Sequence, residues 1–272
     1  MAVVLSELLV TLDEFWPVSG ADDWDAPGLV CGSPSQRISR VLLTVDVTDA
    51  IVEEAITGGF DLIIAHHPLL LRGVKTLAEE TSKGAILTKA IRANLAIYAA
   101  HTNADIVERG VSAALAAVFG LQNVRPLVET GPQIGHGRIG SLVETISLGE
   151  FAKRLARVLP PTATGVRVAG SFDTPVRSVA LCGGAGDSFI ATAYSSGADV
   201  YVTSDLRHHP VQEVVEQAIA ENRRFSLIDI SHWAAEWTWL EWAAEDIQGR
   251  FASIQVVVSE LRTDPWDFAV TQ

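Results

Sequence analysis

The strongest constraint on the fold is a regular alternation of apolar, strand-like segments with segments of helical periodicity. Residues 40–47 (RVLLTVDV) have the composition of a buried strand, and residues 49–60 (DAIVEEAITGGF) have helical spacing and close on two glycines. Residues 61–65 (DLIIA) have the pattern of a second buried strand. A strand, a helix and a strand in this order predict a parallel sheet covered by helices, so the predicted fold class is α/β.

The same alternation continues along the chain and predicts two domains. Further helices are predicted over residues 5–15, 83–95, 111–120, 151–160 and 210–222, and further strands over residues 96–101, 176–184 and 198–204. Ser6 is the predicted cap of the first helix. The pattern breaks between Val124 and Gly140, where GPQIGHGRIG predicts a crossing into a second unit. We therefore expect a first α/β domain over residues 1–126, completed by the segment 228–272, and a second α/β domain over residues 127–227.

The two predicted domains share a short internal similarity. Residues 58–68 (GGFDLIIAHHP) and 196–210 (SGADVYVTSDLRHHP) each contain a glycine turn, a strand led by aspartate and a closing His-His-Pro. A duplication of one α/β unit would produce this similarity, although a shared tripeptide is thin support.

Composition excludes several classes of protein. A formal charge of −13 and a pI near 4.9 argue against a nucleic-acid partner, because such binding depends on clustered lysine and arginine. No run of eighteen apolar residues predicts a membrane span, and the acidic N-terminal stretch does not have the pattern of a signal peptide. The two cysteines are too few for a disulfide framework. We expect a cytoplasmic protein that acts on a small molecule, without nucleic-acid or membrane partners.

Histidines follow three of the predicted strands. His66 and His67 come directly after residues 61–65, His101 ends residues 96–101, and His232 follows the apolar segment 226–231 (SLIDIS). The carboxyl ends of parallel strands form the edge of the sheet at which ligands bind. One histidine at a strand end is more often structural, but four of them at three strand ends favour a site.

Carboxylates accompany these histidines and complete a predicted metal site. Asp105 comes four residues after His101, and Glu236 comes four residues after His232, which places Glu236 on the same face if this segment is a helix. Imidazole and carboxylate donors suit Zn, Fe, Mn or Co better than Mg or Ca. Neighbouring residues of a strand point to opposite faces, so the adjacent pair His66 and His67 favours two ions. We predict two divalent transition-metal ions per chain.

Six separated motifs resemble those of the NIF3-like family, many of whose bacterial members carry the name GTP cyclohydrolase 1 type 2 homologue. They are DLIIAHHP, AAHTNAD, GHGRIG, CGGAGDSF followed by GADVYVTSD, and DISHWAAE. The resemblance runs from about Trp24 to Glu236 and implies a NIF3-like fold, with two α/β domains, a dinuclear metal site in the cleft between them, and a ring-shaped homohexamer. The stretch DWDAPGL departs from the family's WDNxGL, because Ala26 and Pro27 replace the asparagine and the residue after it.

The resemblance also implies the roles of individual residues. The family's metal ligands fall on His66, His67, Asp105, His232 and Glu236, with Glu236 as a bridge between the ions. His101 matches a histidine that is either a further ligand or a close neighbour of the ions. If it is not a ligand, His101 is the best general acid or base, since its free pKa is near the operating pH.

The predicted function is that of a dinuclear metal-dependent hydrolase acting on a small nucleotide or phosphorylated substrate. Two ions would lower the pKa of a bound water and stabilise the oxygen on which charge develops. The alternative is a non-catalytic metal-binding scaffold or metal carrier, and a third interpretation is a purely structural metal.

Three other features carry weaker predictions. The glycines Gly183, Gly184 and Gly186 could hold an anion through their backbone N–H groups, or simply form a tight turn. His208 and His209 are expected at the surface or beside the site, and His136 in an exposed turn. The stripe of four tryptophans favours packing over stacking on a base, and its members are Trp233, Trp237, Trp239 and Trp242.

Overall fold

The computed structural model describes residues 2–270, which form two compact units. Unit 1 contains the chain up to Ala104 together with Leu240–Thr263, and unit 2 contains Asp105–Trp239 with the segment that starts at Asp264. The strands are β1 (Val3–Val4), β2 (Gly28–Cys31), β3 (Arg37–Ile38), β4 (Arg40–Thr44), β5 (Leu62–Ala65), β6 (Ala96–Ala99), β7 (Gln122–Gly131), β8 (Ile134–Ser147), β9 (Arg167–Ala169), β10 (Pro175–Ala185), β11 (Val200–Ser204), β12 (Ser226–Asp229) and β13 (Gln255–Val258). The α-helices are α1 (Leu5–Phe15), α2 (Asp49–Thr57), α3 (Ser82–Arg92), α4 (Thr102–Asp105), α5 (Val111–Val118), α6 (Leu148–Val158), α7 (Ile190–Ser195), α8 (His208–Ala220) and α9 (His232–Arg250). The predicted α/β class is confirmed.

Unit 1 is built on a five-stranded sheet in the order β13-β4-β5-β6-β2. The first four strands run parallel, and β2 lies antiparallel to β6 at the edge. Every residue of β5 and β6 is buried. This agrees with their unbroken apolar runs, which predicted strands covered on both faces. Helices α2 and α3 begin at threonine caps, Thr48 and Thr81, whose side chains accept the N–H groups of Ile51 and Gly84.

Helix α1 has the predicted bounds but not the predicted cap. Its apolar stripe buries Leu5, Leu8 and Leu12. The N-cap position is Val4, and no side chain caps the helix. Ser6 is not needed as a cap, because the first N–H groups donate to the carbonyls of Gln36 and Pro34 at 2.8 and 2.9 Å.

Unit 2 is built on a six-stranded sheet in the order β7-β8-β10-β11-β12-β9. Strands β10, β11 and β12 are parallel, and the other pairings are antiparallel. The stretch GPQIGHGRIG forms the end of β7, the turn and the start of β8, so it is part of a long hairpin inside unit 2. No helix within residues 2–270 has the length and the apolar character that a membrane span requires.

Both units contain the same strand–helix–strand–helix–strand core. In unit 1 it is formed by β4, α2, β5, α3 and β6, and in unit 2 by β10, α7, β11, α8 and β12. In each unit an antiparallel strand from earlier in the chain, β2 or β9, pairs with the third strand of the core. The short sequence similarity falls on equivalent second strands, β5 and β11, and this agreement in topology supports the predicted duplication.

Candidate metal centre

Three histidines form a compact cluster at the carboxyl ends of two strands in unit 1. His66 and His67 follow the end of β5, and His101 follows β6 by two residues. The ring centroids of His66 lie 5.2 Å from those of His67 and of His101, and those of His67 and His101 lie 5.5 Å apart. One ring nitrogen from each histidine lies within 4.8 Å of the other two, a spacing that can hold a metal ion.

The adjacent rings of His66 and His67 lie close together. Their planes are tilted by 39°, and both rings lie beside His101. β5 ends at Ala65, so strand alternation no longer applies to the pair, and its service to two separate ions stays a prediction.

Each histidine of this cluster is oriented by a hydrogen bond at Nδ1. The acceptors are the carbonyl oxygen of Ala100 for His66, at 2.8 Å, and a carboxylate oxygen of Asp46 for His67, at 2.7 Å. Asp25 accepts from His101, also at 2.7 Å. A neutral imidazole that donates from Nδ1 carries its lone pair on Nε2, so these bonds select the tautomer that a metal requires.

Asp25 is the most strongly fixed of these acceptors. Its side chain is buried, one oxygen also accepts the N–H of Ala26 at 2.7 Å, and the other accepts the N–H and hydroxyl of Thr102. Burial raises the pKa of the Asp25 carboxyl, but the bonds from His101 and Thr102 outweigh burial and hold the pKa well below its usual value. Asp25 therefore stays ionised and keeps the His101 ring in place. The ring edge of Trp24 packs on His101, with centroids 5.7 Å apart.

Unit 2 presents a second donor set on the first turn of α9. His232 Nε2 lies 2.8 Å from Glu236 Oε1, as the spacing of four residues predicted, and His232 Nδ1 lies 2.6 Å from Asp205 Oδ2. Burial lowers the pKa of His232, but the charge of Glu236 and the hydrogen bonds to Asp205 and Glu236 outweigh it and raise the pKa to about 11. Nε2 of His232 and Oε1 of Glu236 therefore face each other as two donor atoms that one cation could share.

Asp105 and Glu236 both lie near the buried thiol of Cys182. Burial raises the pKa of Cys182 to about 12, and the negative charges of Asp105 and Glu236 act in the same direction. Asp105 is the last residue of α4. Both carboxylates that were predicted as ligands therefore influence the same buried thiol of unit 2.

Gly184 makes room for this donor set. It has φ +71°, and a Cβ atom on Gly184 would lie 2.6 Å from Glu236 Oε1 and 3.4 Å from His232 Nε2. Any side chain at this position would therefore displace the Glu236 carboxylate.

A family comparison assigns the chain. The model of the Duf34/NIF3 (NGG1p interacting factor 3) family matches residues 3–265. The chain belongs to this family. A Streptomyces coelicolor protein named GTP cyclohydrolase 1 type 2 homolog is 44% identical over 270 residues, which cover 96% of this chain and 93% of that protein.

Solved structures share the fold. A Bacillus cereus protein related to NIF3 superposes with a TM-score of 0.89 at 24% identity, covering 98% of this chain and 99% of that one. A hypothetical protein of Staphylococcus aureus gives a TM-score of 0.88 at 27% identity, with the same coverage. The predicted NIF3-like fold is thus confirmed.

The donor chemistry of both sets fits transition-metal ions. Imidazole nitrogen and carboxylate oxygen are ligands of Zn, Fe, Mn and Co, and the described residues include His and Glu groups that can hold an ion. The structure places His66, His67 and His101 together in unit 1 and His232 beside Glu236 in unit 2, and Asp105 shares with Glu236 an effect on the thiol of Cys182.

The glycines after Cys182 are engaged with neighbouring strands and helices. Gly183 donates its N–H to Ser112 Oγ at 3.1 Å, the carbonyl of Gly184 accepts from Thr203, and that of Gly186 accepts from Tyr201. Anion binding at these glycines stays a prediction.

The remaining histidines and the tryptophans have other environments. His208 and His209 begin α8 with exposed side chains. His136 is half-buried in β8 and stacks on Phe189 at 5.5 Å, so it is not in an exposed turn. Trp233 and Trp239 are buried, as expected of packing residues.

Proposed function

We propose that this protein is a hydrolase that uses two divalent transition-metal ions, held by His66, His67, Asp105, His232 and Glu236. The observation that carries the proposal is the cluster in unit 1, in which the ligands His66 and His67 and the acid–base group His101 are each fixed at Nδ1 by a separate acceptor. Histidines that serve only packing have no need of ring nitrogens gathered within 4.8 Å of one another.

The residues of the chain have distinct roles in this proposal. Bound ions would lower the pKa of a coordinated water and provide a hydrolytic nucleophile near neutral pH. Asp46 and Asp205 hold the rings of His67 and His232, and Glu236 contributes a buried carboxylate next to His232. His101 takes up and returns the proton during reaction, and Asp25 holds it in the required tautomer.

We propose a small phosphorylated molecule or nucleotide as the substrate class. The support is the name of the relatives, which refers to GTP, and the hard oxygen ligands that phosphate groups offer to metal ions. We also propose the homohexamer that the family resemblance implies. Light scattering tests it directly, since a hexamer has about six times the chain mass of 29.1 kDa.

The decisive experiment is elemental analysis of untagged protein purified without chelator, beside the variants His67→Ala and Glu236→Ala. His208→Ala is the matched control, because this exposed histidine lies outside both donor sets. We expect two ions per chain in the wild type and in the control, and fewer in both site variants, with all proteins folded by circular dichroism. A folded wild type that takes up no metal on reconstitution would refute the proposal.

Activity separates a catalyst from a carrier. We expect metal-loaded protein to hydrolyse at least one member of a panel of nucleotides and phosphoesters, and His101→Ala to lose turnover while it keeps its metal. Rapid, reversible loss of metal to a chelator, without turnover of any compound, would instead identify a metal carrier.

A further inference from the structure

Arg138 of β8 is almost entirely buried, with 3% of its surface exposed, and its guanidinium binds backbone. Nη1 donates to the carbonyl oxygens of Gly135 and Gly137, each at 2.7 Å, and Nη2 donates to that of Val107 at 2.5 Å. Arginine is seldom buried without partners, because removing its charge from water is costly. Through these three buried bonds Arg138 connects the start of β8 to the segment that contains Val107.

The glycines around Arg138 allow this connection to form. Gly135 has φ +153°, and a Cβ atom there would lie 2.0 Å from the carbonyl oxygen of Val128. Gly137 has φ +60°, and a Cβ atom there would lie 2.7 Å from the carbonyl oxygen of Leu181. The motif GHGRIG therefore combines one buried cation with glycines that bring the backbone close enough to surround it.

The opposite end of the connection is the turn that follows Asp105. Val107 lies two residues after Asp105, and the carbonyl of the intervening Ile106 accepts the N–H of Gly135 at 2.9 Å. Two consecutive carbonyls after Asp105 are thus bound to the start of β8. The positive charge of Arg138 also lies close enough to Asp105 for the two charges to interact.

We propose that Arg138 is the positioning residue for Asp105, holding the turn after it so that the carboxylate is presented to a metal ion. This inference rests on the proposed function, in which Asp105 is a ligand. Arg138 acts through Asp105 and does not itself touch the metal or the substrate.

A double-mutant cycle tests the inference. Zn²⁺ affinity would be measured by competition with a chromophoric chelator for the wild type, Arg138→Met, Asp105→Asn and the double variant. We expect Arg138→Met to weaken Zn²⁺ binding by about 10–100-fold, the usual effect of removing a group that orients a ligand. In the Asp105→Asn background, Arg138→Met should lower the Zn²⁺ affinity by less than about twofold, because the side chain that Arg138 positions no longer binds metal.

Two further variants distinguish positioning from charge. Arg138→Lys keeps the charge but lacks the planar guanidinium that binds three carbonyls. We therefore expect its Zn²⁺ affinity to stay as low as that of Arg138→Met. Arg125→Met in the neighbouring strand is the control, since this exposed arginine makes a single long bond of 3.4 Å to Pro126. Full recovery with lysine, or an equal loss in both backgrounds of the cycle, would overturn the inference.

Amide hydrogen exchange provides a readout that does not depend on bound metal. We expect Arg138→Met to speed exchange in the turn at residues 106–110, where the N–H of Gly110 also donates to Val107, and Asp105→Asn to leave it slow. If the wild type binds no Zn²⁺, the proposed function fails. In that case, unchanged exchange in Arg138→Met would separately reject the role of Arg138.

Discussion

Replacing Gly184 by alanine is the sharpest test of the donor set in unit 2. The added Cβ atom would lie 2.6 Å from Glu236 Oε1, whereas ordinary contacts are about 3.5 Å. The carboxylate oxygen must therefore retreat by about 0.9 Å, the difference between these two distances. Metal–ligand distances tolerate only about 0.2 Å, so Glu236 cannot stay in a coordinating position.

Gly184→Ala should also lower stability, by an amount that can be separated from its effect on metal. An alanine at φ +71° costs about 1–2 kcal/mol in backbone strain. Gly165 is the matched control, because it has φ +61° and no atom lies within 4 Å of its added Cβ. Gly165→Ala should lose only this strain in urea, and Gly184→Ala should lose more, because it also displaces the buried Glu236 carboxylate.

Only Gly184→Ala should lose metal. We expect its Zn²⁺ affinity, measured by chelator competition, to fall by more than about tenfold, as for other changes that disturb ligand orientation, while Gly165→Ala binds like the wild type. Equal Zn²⁺ affinities for the two variants would refute the reasoning, because the Glu236 carboxylate would then have no part in binding.

Three other predictions follow from local contacts. Asp46→Asn removes the carboxylate that accepts from His67 and should weaken Zn²⁺ binding by about 10–100-fold, and a value within twofold of the wild type would contradict this role. Burial raises the pKa of Cys182 from 9.0 to about 12, so the folded protein holds its proton longer than the unfolded chain. Its contribution to the unfolding free energy is complete below pH 9 and falls by about 1.4 kcal/mol per pH unit as the pH rises toward 12. Urea unfolding at several pH values should therefore show a decrease in stability over this range that is absent from Cys182→Ala. Thr48→Ala removes the cap of α2, whose hydroxyl accepts the N–H of Ile51, and should cost about 1 kcal/mol of unfolding free energy without loss of metal.

The sequence was sufficient to predict the parallel strands of the two cores and the histidines that follow them. Uninterrupted apolar runs such as LIIA have few alternatives to a buried strand, and a histidine directly after such a run must lie at the sheet's carboxyl edge. The pair of His232 and Glu236 followed from helical periodicity alone.

The groups that orient the ligands could not be predicted in the same way. Asp25 is separated from His101 by 76 residues and Asp46 from His67 by 21, so only the folded chain brings them together. No role in the site was predicted for Asp25, although it stands in the stretch DWDAPGL, which was compared with the motif of the family. The hairpin of β7 and β8 was missed because its glycines obscure the alternation that identifies strands.

The pairing of β13 with β4 has a consequence for biosynthesis. Arg40 lies opposite Gln255 in the register, so one edge of β4 stays open until the far end of the chain leaves the ribosome. Translation at about 5–20 residues per second leaves that edge exposed for roughly 10–40 s. An open, apolar strand edge is a template for association with other chains. The interval before β13 is made is therefore the time in which β4 of the nascent protein is most exposed to pairing with another chain.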